Sequence, residues 1–151
     1  MRHGSRPLAA LTLALAGTTL LTGATNGGTT VTITVTDLRN AKGVVRACMT
    51  DNVKVFPKCR EDPKSFRAVV DATAPVTFKF EHVPAGTYAI ALLHDENNNG
   101  KADRALMMMP KEGYGFSRDA KVKMGPPSFA SAAFEVGSQP LSQTIRMRYM
   151  L

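Results

Sequence analysis

Apolar and polar residues alternate with period two along several stretches of the chain, and no stretch keeps a 3.6-residue period over helical length. From Thr29 to Asp37, Val31, Ile33 and Val35 share one face, and Thr30, Thr32, Thr34 and Thr36 share the other. This run of β-branched residues predicts a half-buried strand. Val44 to Met49 is apolar on both faces and predicts a central strand. The turn residues Arg39–Gly43 imply that it pairs with the first strand as a hairpin. Phe66–Asp71 predicts a short strand. In Pro75–Val83, Val76, Phe78 and Phe80 oppose Thr77, Lys79 and Glu81, with His82 continuing the buried side. The turn Val83-Pro-Ala-Gly86 then leads into Thr87–His94, apolar on both faces and so covered on both sides. Ala132, Phe134 and Val136 mark a further strand. Leu141, Ile145, Met147, Tyr149 and Leu151 share a face of the last one, opposite Ser142, Thr144, Arg146 and Arg148.

Between these runs the pattern breaks. Thr50–Ser65 carries Pro57 and Pro63, and Pro110–Ser117 carries Pro110, Gly113 and Gly115, so both read as loops. Met107–Met109 would offer three thioethers, the soft ligands of copper(I), but adjacent strand residues point to opposite faces and cannot converge. They are expected to pack in the core or against a loop. Short strands separated by turn signals predict an all-β sandwich or barrel.

The 151 residues suit one domain. Residues 1–24 stand apart: Arg2, His3 and Arg6 precede the apolar Leu8–Leu21, and Thr22-Gly-Ala24 ends in small residues. That is the pattern of a secretory signal peptide. Leu8–Leu21 falls short of the roughly 20 residues that cross a bilayer, so no membrane span is expected once it is cleaved. The expectation is an exported protein, periplasmic or extracellular, whose single domain runs over 25–151. Without Arg2 and Arg6 the charge is 17 Lys plus Arg against 12 Asp plus Glu, a net +5. An even cysteine count in an exported chain favours a Cys48–Cys59 disulfide over free thiols, and the Cys-x-x-Cys spacing of redox catalysts is missing.

The densest candidate chemistry lies in His94-Asp-Glu-Asn-Asn-Asn-Gly-Lys-Ala-Asp103. Asp95, Asn97, Asn99, the backbone carbonyl of Lys101 and Asp103 occupy positions 1, 3, 5, 7 and 9 of a calcium loop, with Gly100 at the sharp turn. Leu106 stands where an EF-hand places its bidentate Glu, and a strand precedes the loop, so an EF-hand is excluded. Glu112 is the nearest carboxylate to complete a shell. Two charges among the loop ligands would hold calcium weakly, with Kd on the order of 10⁻⁴ to 10⁻³ M. The competing expectation is a polar turn in which Asn and Asp side chains bond the local backbone.

Four ordered motifs carry a resemblance: Pro84-Ala-Gly-Thr-Tyr-Ala-Ile90, the His94–Asp103 loop, Pro110-Lys-Glu-Gly-Tyr-Gly-Phe-Ser117 and Gly125-Pro-Pro-Ser-Phe129. Together they resemble domain-of-unknown-function family 2141. The chain departs from that pattern at Met107–Met109, where the family has a short glycine-containing segment. The resemblance implies an exported bacterial transthyretin-like or carboxypeptidase-regulatory-like β-sandwich of about seven strands, with no assigned activity. It also implies that the His94–Asp103 and Glu112–Ser117 loops form one shared feature.

The leading functional expectation is a non-enzymatic binding or structural module with a calcium-stabilised loop. Its partners would be an extracytoplasmic protein, a polysaccharide or an anionic surface. A second is an anionic-polymer or membrane-surface binder using Lys101, Arg104, Lys111, Arg118, Lys121 and Lys123. A third is a small hydrolase using His94 and Glu112, although neither a Gly-x-Ser-x-Gly elbow nor a His-Glu-x-x-His helix occurs. Export and the want of aromatic-basic stacking motifs argue against nucleic acid.

Overall fold

The computed structural model describes residues 27–151, so the stretch read as a signal peptide lies outside the described residues. Eight strands form two sheets: β1 (Thr29–Thr36), β2 (Val44–Thr50), β3 (Phe66–Asp71), β4 (Val76–Val83), β5 (Gly86–Asp95), β6 (Gly113–Phe116), β7 (Phe134–Val136) and β8 (Leu141–Arg146). The helix α1 is a single turn, Phe129–Ala132. The all-β expectation holds, with one strand more than anticipated.

The smaller sheet has the order β4–β1–β8, with β1 antiparallel to β4 and parallel to β8. The larger has the order β3–β2–β5–β6, and β7 adds to β5. Alternation builds the core between them. Val31, Ile33 and Val35 from β1 and Val76, Phe78 and Phe80 from β4 meet Val45, Ala47 and Met49 from β2 and Tyr88, Ile90 and Leu92 from β5. The other side of β5 is covered too, as its two apolar faces require: Ala89 packs with Phe116, Ala120 and Ala132, and Phe56 and Phe129 close over them.

The predicted hairpin between the first two strands does not form. β1 and β2 lie in different sheets, and residues 37–43 cross between them, with Asp37 and Gly43 both in the left-handed region. Period-two alternation fixes which face of a strand is buried but says nothing about its neighbour. His82 is exposed, against expectation. It sits at φ 56 where the β1–β4 register slips between Thr29 and Val31, and the bulge turns it off the buried face.

The third correction concerns Gly113-Tyr-Gly-Phe116, which is the edge strand β6 and not a loop. Its glycines answer a close approach. A Cβ on Gly113 would lie 2.4 Å from the Tyr149 ring, and one on Gly115 would lie 2.9 Å from Ile145 and from the Arg146 carbonyl. Chain beyond β8 leaves the smaller sheet here and pairs with β6: Tyr114 and Arg148 exchange N–H···O bonds of 3.0 and 2.8 Å. Cys48 and Cys59 are disulfide-bonded, tying β2 to the excursion before β3.

Candidate functional site

The end of β5 carries the predicted loop, and its partner across β2 is Val44. Gly43, just before, stands at φ +65, and a Cβ there would fall 2.0 Å from the Asp95 carbonyl oxygen. Only glycine fits that crossing. Asp95 itself is fully buried. Its Oδ2 accepts from Arg46 Nε at 2.6 Å and from the Gly100 amide at 2.8 Å, and its Oδ1 accepts from the Asn99 amide at 3.0 Å. Burial alone would raise the Asp95 carboxyl, but Arg46 and the two amides outweigh it and leave the group below its ordinary value.

The loop then closes on itself. Asn97 Oδ1 accepts from the Asn99 amide at 3.1 Å, and Asn99 Oδ1 accepts from the Lys101 amide at 2.8 Å, two successive Asx turns. The side-chain amides of Asn97 and Asn99 donate to Asp103, at 2.7 Å and 3.0 Å. Lys101 thus enters through its N–H. Arg46 also reaches Asn98 Oδ1 at 2.7 Å.

Glu112 joins the feature from the far side, as the paired-loop expectation requires. It is 4% exposed and accepts the Glu96 amide on Oε1 at 3.2 Å and the Asp103 amide on Oε2 at 3.0 Å. One carboxylate therefore clamps both ends of the loop. Burial raises its pKa; the Asp103 and Glu96 amides hold part of that back, while the charges of Asp95 and Asp103 push further up. Asp95, Asn97, Asn99, Lys101, Asp103 and Glu112 are thus brought into one network, in which the side-chain oxygens accept from N–H donors and Lys101 donates its N–H. Among the described residues no group of three or more His, Cys, Asp or Glu side chains is arranged to hold a metal ion.

Sequence reading missed the basic and aromatic half of this network. Arg39 forms a fork on Glu96, and its Nη2 also donates to the Lys111 carbonyl at 2.9 Å while its guanidinium lies 4.5 Å from the Tyr149 ring centre. The Arg39 hydrogen bond, against burial and with help from Asn40, holds the Glu96 carboxyl down at about 2. His94 is fully buried, with Nδ1 2.7 Å from the Tyr149 hydroxyl and Nε2 2.8 Å from the Lys42 carbonyl. A carbonyl only accepts, so Nε2 carries a hydrogen, and in the neutral imidazole Nδ1 accepts from the hydroxyl. The Tyr149 oxygen in turn accepts the Arg39 amide at 3.2 Å. The Tyr149 ring packs edge-on against His94.

Arg39, Arg46 and Tyr149 lie 49 or more residues from their partners in the loop, so no local motif announces them. The one available signal is the pair of glycines in β6, which mark where Tyr149 presses in. Neither of two surface hollows reaches His94, Asp95 or Glu112. One is lined by Asn52, Val55, Phe56 and Lys58 among others. The other is lined by Met109, Tyr114, Lys121, Val122, Arg148, Tyr149 and Met150.

A family model described as "Uncharacterized protein conserved in bacteria (DUF2141)" matches residues 33–144, which takes in six of the eight strands whole, the acidic loop and Glu112. The chain belongs to this family. No curated protein and no solved structure matches it. The DUF2141 match begins within β1 and ends within β8, so Arg39 and Arg46 fall inside it and Tyr149 outside.

The outer surface of the same region has the opposite character. Lys101, Arg104, Lys111, Arg118, Lys121 and Lys123 are all exposed. Of the acids in that stretch, Glu112 is buried, and Asp103 and Asp119 are half-buried and bonded, Asp119 to Arg148 at 2.6 Å. Met107, Met108 and Met109 are 90%, 67% and 38% exposed, which overturns the expectation that they pack.

Proposed function

We propose that this DUF2141 protein is a non-catalytic binding module that works outside the cytoplasm. Its ligand face is the basic outer surface of residues 101–124, and the acidic loop beneath is its scaffold. The observation that carries the reading is the sorting of charge: six exposed cations across that stretch, against one buried carboxylate, Glu112, and two partly exposed ones, Asp103 and Asp119, that are already bonded within the chain. Such a surface attracts anions at long range. The bonding of His94, Asp95 and Glu112 supports the non-catalytic part, since both nitrogens of the buried imidazole are bonded and each carboxylate is committed to N–H donors. The Cys48–Cys59 bond and the predicted signal peptide support export. The three-stranded sheet facing a larger antiparallel one supports a transthyretin-like arrangement.

The test is retention on a sulfonated cation-exchange matrix. The triple variant Lys111→Gln/Lys121→Gln/Lys123→Gln should elute at clearly lower salt than Lys54→Gln/Lys58→Gln/Lys64→Gln, which removes three exposed lysines elsewhere. Equal elution of the two would remove the binding face.

The acidic loop is proposed to stand without calcium, because Arg46 already supplies the cation at Asp95 and the Asn amides already occupy Asp103. Melting in millimolar calcium and in chelator should therefore agree to within about 1 °C, whereas occupancy of a site at tenfold its Kd would raise Tm by several degrees. A rise of that size would restore the calcium reading.

A further inference from the structure

The surface proposed as the ligand face has a second component that charge does not explain. Asp103–Lys111 folds back on itself as a short ribbon: the Lys111 amide donates to the Asp103 carbonyl at 3.0 Å, and the Ala105 amide donates to the Met109 carbonyl at 2.8 Å. At its tip Met107 and Met108 stand at φ 62 and 63. Left-handed backbone is disfavoured for any residue with a Cβ. These two side chains are 90% and 67% exposed, so burial within the chain does not offset the strain. Met109, at the base of the tip, lines a hollow with Lys121, Val122, Arg148 and Met150. Met124 is fully exposed two residues beyond Val122, and Leu151 is 54% exposed beside Met150. Among the described residues, six of the eight exposed large apolar side chains line this hollow or stand within two residues of one that does, and Arg104, Lys111, Lys121 and Lys123 are interleaved with them along the chain.

We infer that this methionine-tipped ribbon and its basic collar dock on an anionic lipid bilayer, an inference that rests on the ligand face assigned above. The two components fit a membrane at different depths. Apolar tips enter the boundary between headgroups and acyl chains, while lysine and arginine stay at the level of the lipid phosphates. A soluble polyanion would engage the cations and leave the methionines in water. An apolar protein partner would cover the methionines and have no use for a collar in which exposed cations outnumber the acids. Methionine suits the lipid role because its unbranched thioether adapts to an irregular environment.

The experiment uses the full chain throughout, so residues 1–26 are common to every variant and differences report the patch. An environment-sensitive fluorophore is attached at Met108→Cys, and in a control at Val69→Cys, an exposed site on β3 at the opposite edge of the larger sheet from β6. Vesicles of equal phosphatidylglycerol and phosphatidylcholine should blue-shift the label at 108 and not the one at 69, and pure phosphatidylcholine should shift neither. Each cation lost near an anionic surface weakens binding roughly fivefold, so Lys111→Gln/Lys121→Gln/Lys123→Gln should bind these vesicles roughly a hundredfold more weakly. Met107→Ser/Met108→Ser should also weaken binding while leaving retention on the sulfonated matrix unchanged. Melting curves matching the parent establish that both variants are folded. A label at 108 that ignores anionic vesicles, responds equally to pure phosphatidylcholine, or responds equally to heparin would overturn the lipid assignment. If the matrix contrast survives such a result, only the identity of the ligand has failed; if the contrast is lost, the face itself has failed.

Discussion

Two long excursions leave the larger sheet at opposite ends, and different chemistry holds each in place. The β2–β3 excursion departs beyond Thr50, which pairs with Ala89 near the start of β5; the β5–β6 excursion departs beyond Asp95, which pairs with Val44 at the start of β2. The first is pinned by Cys48–Cys59 and by Phe56 packed edge-on against Phe116 and Phe129. The second is pinned by carboxylates: Asp95 on Arg46 and two amides, Glu112 across both ends of the loop. A disulfide with aromatic packing leaves the charges of its excursion free to face water. A carboxylate clamp draws its acids inward and leaves the bases outside. That asymmetry produces the basic face over 101–124 and gives none over 51–65, where Asp51, Lys54, Lys58, Glu61 and Lys64 are exposed together.

The contrast breaks most severely at Asp95. Asp95→Ala strands the half-buried Arg46 and leaves the Asn99 and Gly100 amides without their acceptor, so it should cost about 3–5 kcal/mol in urea denaturation. Removing the disulfide by Cys48→Ser/Cys59→Ser should cost about 3 kcal/mol on the loop-entropy model. It should leave retention on the sulfonated matrix as it was, because no charge moves. Glu112→Gln is milder. It keeps one acceptor, turns an amide N–H toward a backbone donor, and removes a desolvated charge, so the net loss should be about 1 kcal/mol.

Acid sharpens the comparison further, because the two glutamates respond in opposite senses. The folded pKa of Glu96 is about 2 against an ordinary 4.5, so its contribution is complete above pH 4.5 and disappears as pH falls from there toward 2. Glu96→Gln should flatten that part of the stability profile. The folded pKa of Glu112 is raised, so its charge is a cost at neutral pH that is relieved as pH falls through its folded value. Glu112→Gln should abolish that relief.

Much of the sandwich was legible because alternation is a local property. Val31, Ile33 and Val35, and Val76, Phe78 and Phe80, declared their faces, and every predicted strand formed. Strand partners were not legible, which is why β2 was expected beside β1. Gly113 and Gly115 looked like breakers because what they accommodate, Tyr149 and Ile145, arrives from a distant stretch of chain. Asp95, Asn97, Asn99 and Asp103 were grouped by spacing and Glu112 as the nearest carboxylate, and the fold brings all five into one network. What those oxygens bond could not be read that way, since Arg46 reaches Asp95 across a sheet. Met107–Met109 were misjudged because burial is the ordinary fate of methionine, and a sequence does not show a strained tip left in water.

Carboxyl-carbon NMR titration of the folded protein, recorded with chelator and again with millimolar calcium, tests most directly that the acids of this region are spent internally. Glu96 should titrate at about 2, Asp95 below and Glu112 above the ordinary carboxyl values, and calcium should move none of them. Side-chain carboxyl signals of Asp95, Asp103 and Glu112 shifting together on adding calcium would contradict the account.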